Sequence, residues 1–122
     1  MDLIVKQVYD IVRSSPHFED YNVFMETIPE EDQKEDNLPI MRITEIVSHA
    51  AGFASNKSTQ HAFTVQVDVW HKTLKDINDI YFVIDSLLEE YKLVNTAGGT
   101  DEDVDFNCTP RMYKRYRTRQ NK

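Results

Sequence analysis

The chain has 122 residues, of which 40% are hydrophobic and 29% charged, with a formal net charge of -7. That make-up is globular rather than disordered, and a chain of this size forms one domain that removes about two-thirds of its unfolded surface from water. No apolar run approaches the ~20 residues of a membrane span, MDLIVKQVYD does not read as a signal peptide, and the lone Cys108 has no internal disulfide partner, which points to a reducing compartment.

In chain order, the spacing first predicts a helix over Asp2 to Ser14. Leu3, Ile4, Val8, Ile11 and Val12 recur at three- and four-residue intervals, and Ser14-Ser15-Pro16 ends the run. Phe18 and Tyr21 fold back onto the same core. Asn22 to Ile28 alternates like a strand, and Pro29 to Asp36 holds five acids in eight residues, a solvated loop. Leu38 to Val47 is a second strand with apolar residues on both faces. Residues 48–60, SHAAGFASNKSTQ, are too small and polar for a buried element and read as a long β-hairpin arm or a mobile loop.

His61 to Trp70 is the clearest strand, with Phe63, Val65, Val67 and Val69 alternating against Thr64, Gln66 and Asp68. Thr73 to Tyr91 is the clearest helix. Leu74, Ile77, Tyr81, Ile84, Leu88 and Tyr91 form one stripe, and Thr73 with Asp76 makes a capping pair. Beyond it the pattern predicts a short strand at Leu93 to Thr96, a turn at Ala97 to Thr100, a strand from Val104 to Thr109, and a last strand from Met112 to Thr118. In the last one, Met112, Lys114, Tyr116 and Thr118 oppose Tyr113, Arg115 and Arg117, and its positive charge suits a sheet edge. The order α-β-β-β-α-β-β, with strands clustered in hairpins, predicts an α+β domain spanning 1–122. A mostly antiparallel sheet of five to six strands would carry two helices on one face.

Charge is unevenly distributed. Residues 1–110 carry 8 basic and 21 acidic side chains, a net -13, whereas 111–122 carry six basic residues and no acid. The basic segment reads first as one that pairs with its own body or a neighbouring subunit. A single-strand nucleic-acid arm is the second reading, disfavoured because so acidic a body repels phosphate.

Chemistry-bearing patterns are sparse. Asp68 and His71 are spaced D-x-x-H, but a zinc site needs three or four ligands and no convincing third exists. The pairs Glu30-Glu31 and Glu89-Glu90 and the run Asp101-Glu102-Asp103 fall in loops or at a helix end, and the 101–105 run lacks the EF-hand pattern. Cys108 alternates with Phe106 and reads as an inert core thiol. Only three glycines occur and none forms a phosphate-cradling motif. No enzyme, metal or cofactor is therefore expected; the chain reads as an interaction or assembly module.

The stretch Phe63-Thr-Val-Gln-Val-Asp-Val-Trp-His71, the helix containing Ile84-Asp85-Ser-Leu-Leu88, the Asp-rich turn and the closing Tyr-Arg-Thr-Arg strand together resemble the siphophage tail terminator, or tail completion, proteins. The dialect is that of phages of Gram-positive hosts, and the resemblance spans nearly the whole chain. It implies a virion protein, assembled in the bacterial cytoplasm, that closes as a hexameric ring on the head-proximal end of the tail tube. The ring would stop tube growth and dock the head. Its partners would be other copies of itself, the tail tube protein and the head connector or stopper; DNA would pass through an acidic lumen without specific binding, and no membrane is involved. On that reading Arg111, Lys114, Arg115, Arg117 and Arg119 are subunit-interface candidates. Asn56 and Lys57, at the tip of the long arm, are tube- or neighbour-contact candidates, and Glu30, Glu31, Asp32, Glu35 and Asp36 belong to the lumen or a rim. Another head–tail connector component, a stopper or adaptor, and a small nucleic-acid-binding module remain as alternatives.

Overall fold

A computed structural model describes residues 2–54 and 57–121, with the side chains of all of these except Val47 and residues 51–58. The chain forms the expected α+β domain. Helix α1 (Ile4–Arg13) is followed by strands β1 (Asn22–Met25), β2 (Ile40–Ala54) and β3 (Lys57–Trp70), helices α2 (Leu74–Ile80) and α3 (Val83–Glu89), and strands β4 (Val94–Asp103) and β5 (Thr109–Asn121). The five strands make one sheet in the order β1-β2-β3-β5-β4. All pairings are antiparallel except β1 with β2, which is parallel.

Period-two alternation divides the sheet into an inner and an outer face. On the inner face Met41, Ile43, Val65, Val67, Val69, Met112 and Tyr116 are fully buried under Ile4, Val8 and Val12 of α1 and Ile77, Ile84 and Leu88 of α2 and α3. Each such aliphatic side chain contributes about 1.5–3 kcal/mol by leaving water. α1 ends as the sequence requires, with Ser15 accepting a hydrogen bond from the His17 amide and Pro16 opening a short 3-10 turn. Leu3, however, stands outside the buried stripe at 75% exposure. Thr73 caps α2 by accepting from the Asp76 amide at 3.2 Å while its hydroxyl donates to the Asp76 carboxylate.

The expected single helix over 73–91 is interrupted at Tyr81 and Phe82. The local run Ile-Tyr-Phe-Val-Ile has poor helix propensity, and Tyr81 turns inward over the Lys114 ammonium while Phe82 remains 71% exposed. Residues 48–60 are largely hairpin: β2 and β3 pair out to Ala54 and Lys57, with a bulge between Glu45 and Val47.

Three expectations for the C-terminal third are corrected. Residues 97–100 lie inside β4 rather than in a turn. A Cβ on Gly98 would fall 2.8 Å from the Lys114 side chain, and one on Gly99 would fall 2.9 Å from the Tyr113 ring, so the glycines admit those side chains. The turn instead takes the place of the strand expected from Val104 to Thr109: a 3-10 segment at Val104–Phe106 is followed by Asn107 and Cys108, both in the left-handed region. Cys108 is thus exposed at φ 54 and is not a core thiol. Finally, β5 is no edge strand: it lies between β3 and β4, pairing with β3 from Arg111 to Asn121.

Candidate assembly surface

The outer sheet face has a sealed end and an open end. At the sealed end Ile40, Trp70 and Phe106 form a small second core, covered by Ile28 and Leu38 from the loop joining β1 to β2. The Trp70 indole N–H donates to the Asp103 carboxylate at 2.9 Å. Beside it lies a charged network. The Asp68 carboxylate is fully buried and accepts from Arg42 at 3.0 Å, from Gln66 at 3.0 Å and from Arg111 at 3.3 Å. Arg111 also grips Asp101 through two bonds of 2.9 and 2.7 Å, which holds the Asp101 carboxyl below its ordinary range. Much of the acidic run 101–105 is therefore structural: Asp101 restrains Arg111, and Asp103 holds both Trp70 and the Asp105 amide.

Towards the hairpin the outer face opens to solvent. Arg115, Arg117 and Arg119 project from alternate positions of β5 opposite Gln66, Thr64 and Ala62, and all three are exposed. Arg115 donates to Gln66 at 2.9 Å; among the described residues, neither Arg117 nor Arg119 has a side-chain partner.

The structure thus divides the five basic interface candidates. Arg115, Arg117 and Arg119 form an exposed stripe, whereas Arg111 is committed to Asp68 and Asp101 within the chain. Lys114 is corrected outright. It faces inward at 2% exposure, 3.0 Å from Asp85 and 3.7 Å from the Tyr81 ring centroid, so it offers nothing to a neighbour. Asp85, which sequence reading overlooked as a buried partner, also accepts from the Tyr116 hydroxyl at 2.6 Å. The signal was present, since Lys114 shares the parity of Met112 and Tyr116 along β5.

Of the acidic candidates, Glu30, Glu31, Glu35 and Asp36 are exposed and Asp32 is half-buried, on two short 3-10 turns in the β1–β2 loop. This loop crosses the sealed end, where Gln33 lines one cleft with Trp70 and Phe106, and Glu35 and Leu38 line another with residues 107–110. Asn56 lies outside the described residues. Lys57 is described only in its backbone, which pairs with Ala54. Asp68 and His71 do not converge: the Tyr21 hydroxyl meets His71 Nε2 instead. Among the described residues no group of three or more His, Cys, Asp or Glu side chains is placed to hold a metal ion, and no helix is long and apolar enough to cross a membrane.

The two flanks of the sheet differ. Beside β1, Leu3 and Met25 border a shallow cleft of about 270 Å³ with Lys6, Glu26 and Glu45. Beside β4, Leu74, Ile77, Tyr81 and Phe82 border a groove of about 370 Å³ with Gly99 and Thr100. Both expose large apolar side chains on the helix-covered side of the sheet, at opposite edges.

No protein-family model matches the chain, and no curated protein matches it. Among solved structures, the chain is similar to the bacteriophage SPP1 gp17 protein, with a TM-score of 0.51, 19% sequence identity, and coverage of 96% of this chain and 89% of that one. At this identity the likeness is one of fold, and it runs through nearly the full length of both chains: the α+β architecture described here is shared with a bacteriophage protein.

Proposed function

We propose that this protein is a structural component of a phage virion that closes head-to-tail into a ring on the end of the tail tube, ends tube growth and presents a surface for the head. The observation that carries this reading is the fold likeness to the bacteriophage SPP1 gp17 protein across 96% of the chain. It agrees with the order and dialect of the sequence, which point to phage tail completion independently of that comparison.

The surface geometry supports a ring in particular. A ring needs two different patches on one subunit that fit each other, because like patches give only a closed pair. The cleft beside β1 and the groove beside β4 give one subunit two unlike, partly apolar surfaces at opposite edges of one sheet. Exposed apolar side chains such as Phe82 and Leu3 fit a surface that is covered on assembly. The reaction implied is assembly alone, with no catalysis, cofactor or metal.

Negative-stain electron microscopy of the purified protein, dilute and concentrated, with and without tail tubes, tests the reading. Rings, or tubes capped at one end, are expected. Monomers that ignore tube ends under every condition would refute it. Preferential binding to the head portal over finished tails would move the assignment to a stopper or adaptor.

A further inference from the structure

Among the described residues, the outer face leaves two blocks of opposite charge without an ion pair, one at each end. At the hairpin end stand Arg115, Arg117 and Arg119. At the sealed end stands the β1–β2 loop, whose residues 30–36 hold five acids against Lys34, a net -4. Among the described residues, Glu30, Glu31, Glu35 and Asp36 have no cationic hydrogen-bond or ion-pair partner. The other three arginines are engaged: Arg13 with the Tyr21 carbonyl, Arg42 with Asp68, and Arg111 with Asp68 and Asp101.

Among the described residues, no ion pair joins the stripe of one copy to its own loop. Arg111, beside Trp70, and Arg119, beside Ala62, are eight residues apart along β5. At the rise of a strand that is about 27 Å, more than three times the ~8 Å screening length at physiological salt. A second copy can bring its own loop to the stripe.

We propose that the arginine stripe of one copy receives the acidic 30–36 loop of the next. This inference rests on the ring reading above and supplies its polar contact. Alternate positions on β5 space the Cα atoms of the stripe about 7 Å apart, and each guanidinium presents a planar fork that matches a carboxylate. The contact joins unlike patches, so every added copy leaves one stripe and one loop free, and addition continues until the ring closes. A nucleic-acid strand offers the stripe the same anionic chemistry, but the chain's net charge of -7 opposes it.

Paired charge reversals test the contact. Arg117→Glu with Arg119→Glu gives one variant, and Glu30→Lys with Glu31→Lys the other. Each alone is expected to weaken assembly about tenfold or more, read as self-association by sedimentation at low salt and as capping of tube ends. Mixed in equal amounts they are expected to recover assembly, because each then meets its complement in an alternating ring. Recovery also shows that neither variant is misfolded. If the reversal at Arg117 and Arg119 unfolds the chain, Arg117→Gln with Arg119→Gln takes its place and must lose both assembly and its salt dependence.

Wild-type assembly with no loss in the variants, or with no recovery on mixing, overturns the inference and leaves the ring reading standing on the apolar flanks. Wild type that neither self-associates nor caps tubes overturns both. Loss of short single-stranded DNA binding in the arginine variant, with assembly unchanged, overturns the inference in favour of a nucleic-acid surface.

Discussion

The Lys114 ammonium lies 3.0 Å from the Asp85 carboxylate, inside the space between α3 and the sheet, with the Tyr81 and Phe82 rings around it. Removing one member of such a pair strands the other charge without its partner, at a cost of about 3–5 kcal/mol when both are buried. Asp85 keeps some solvent contact, with its side chain 16% exposed, so Asp85→Ala is expected at the lower end, about 3 kcal/mol. The double variant Lys114→Met, Asp85→Leu should recover most of that loss. Urea unfolding of the single and double variants measures the coupling. Equal losses that simply add would show that the pair does not act as a unit.

The two glycines of β4 should respond unequally to alanine. At Gly98 the new methyl group meets Lys114 Cδ at 2.8 Å, and Lys114 is buried and tethered, so it has little room to withdraw. At Gly99 the clash is with the half-exposed Tyr113 ring, which can swing outward. Gly98→Ala is expected to cost about 1–3 kcal/mol, as overpacking does, and Gly99→Ala clearly less. Thermal melts of the two variants check the order.

Burial holds His71 below its ordinary pKa of 6.5, against the opposing pull of Asp76 and Asp79, and burial likewise raises the Tyr21 hydroxyl that meets it. Tyr21 therefore stays protonated and His71 stays neutral, and the His71 tautomer sets which of the two donates in the bond at Nε2. The folded state binds fewer protons than the unfolded state between the depressed value and 6.5. The His71 contribution is thus complete above about pH 6.5 and is lost as pH falls through the folded value. The gap in melting temperature between wild type and His71→Gln should narrow over that window. Asp101, held low chiefly by its bond to Arg111, acts in a separate and more acidic window: its contribution is present above about 3.8 and lost as pH falls through its lowered folded value.

Cys108 should react with a chromogenic disulfide reagent in the native protein, at a rate unaffected by subdenaturing urea, because its thiol is exposed in the turn before β5. A thiol that reacts only on unfolding would contradict that position.

Periodicity made the inner face legible. The Val65, Val67, Val69 alternation and the Ile77, Ile84, Leu88 stripe each have a single sensible burial, and both occupy it. The arginine stripe was legible by the same period of two, and so was Lys114, once its parity with Met112 and Tyr116 is given more weight than its charge. The turn before β5 was not. A glycine pair is the usual mark of a tight turn, yet Gly98 and Gly99 lie under side chains within β4, while Asn107 and Cys108 take up left-handed backbone without any glycine. The parallel setting of β1 against β2 was also hidden, because four residues of alternation carry no information about direction. The apolar flanks depend on which strands become edges, and strand order is a property of the sheet and not of any segment.

Strand order also has a consequence for synthesis. β5 follows β4 in the chain, yet it is the strand that lies between β3 and β4. Until it emerges, β4 has no hydrogen-bonding partner and β3 has one bare side, so the inner face cannot be closed beneath α2 and α3. The chain therefore acquires its native sheet only once β5 (Thr109–Asn121) has been made and has emerged, and a nascent chain stalled before residue 109 should be more open to protease than the finished one.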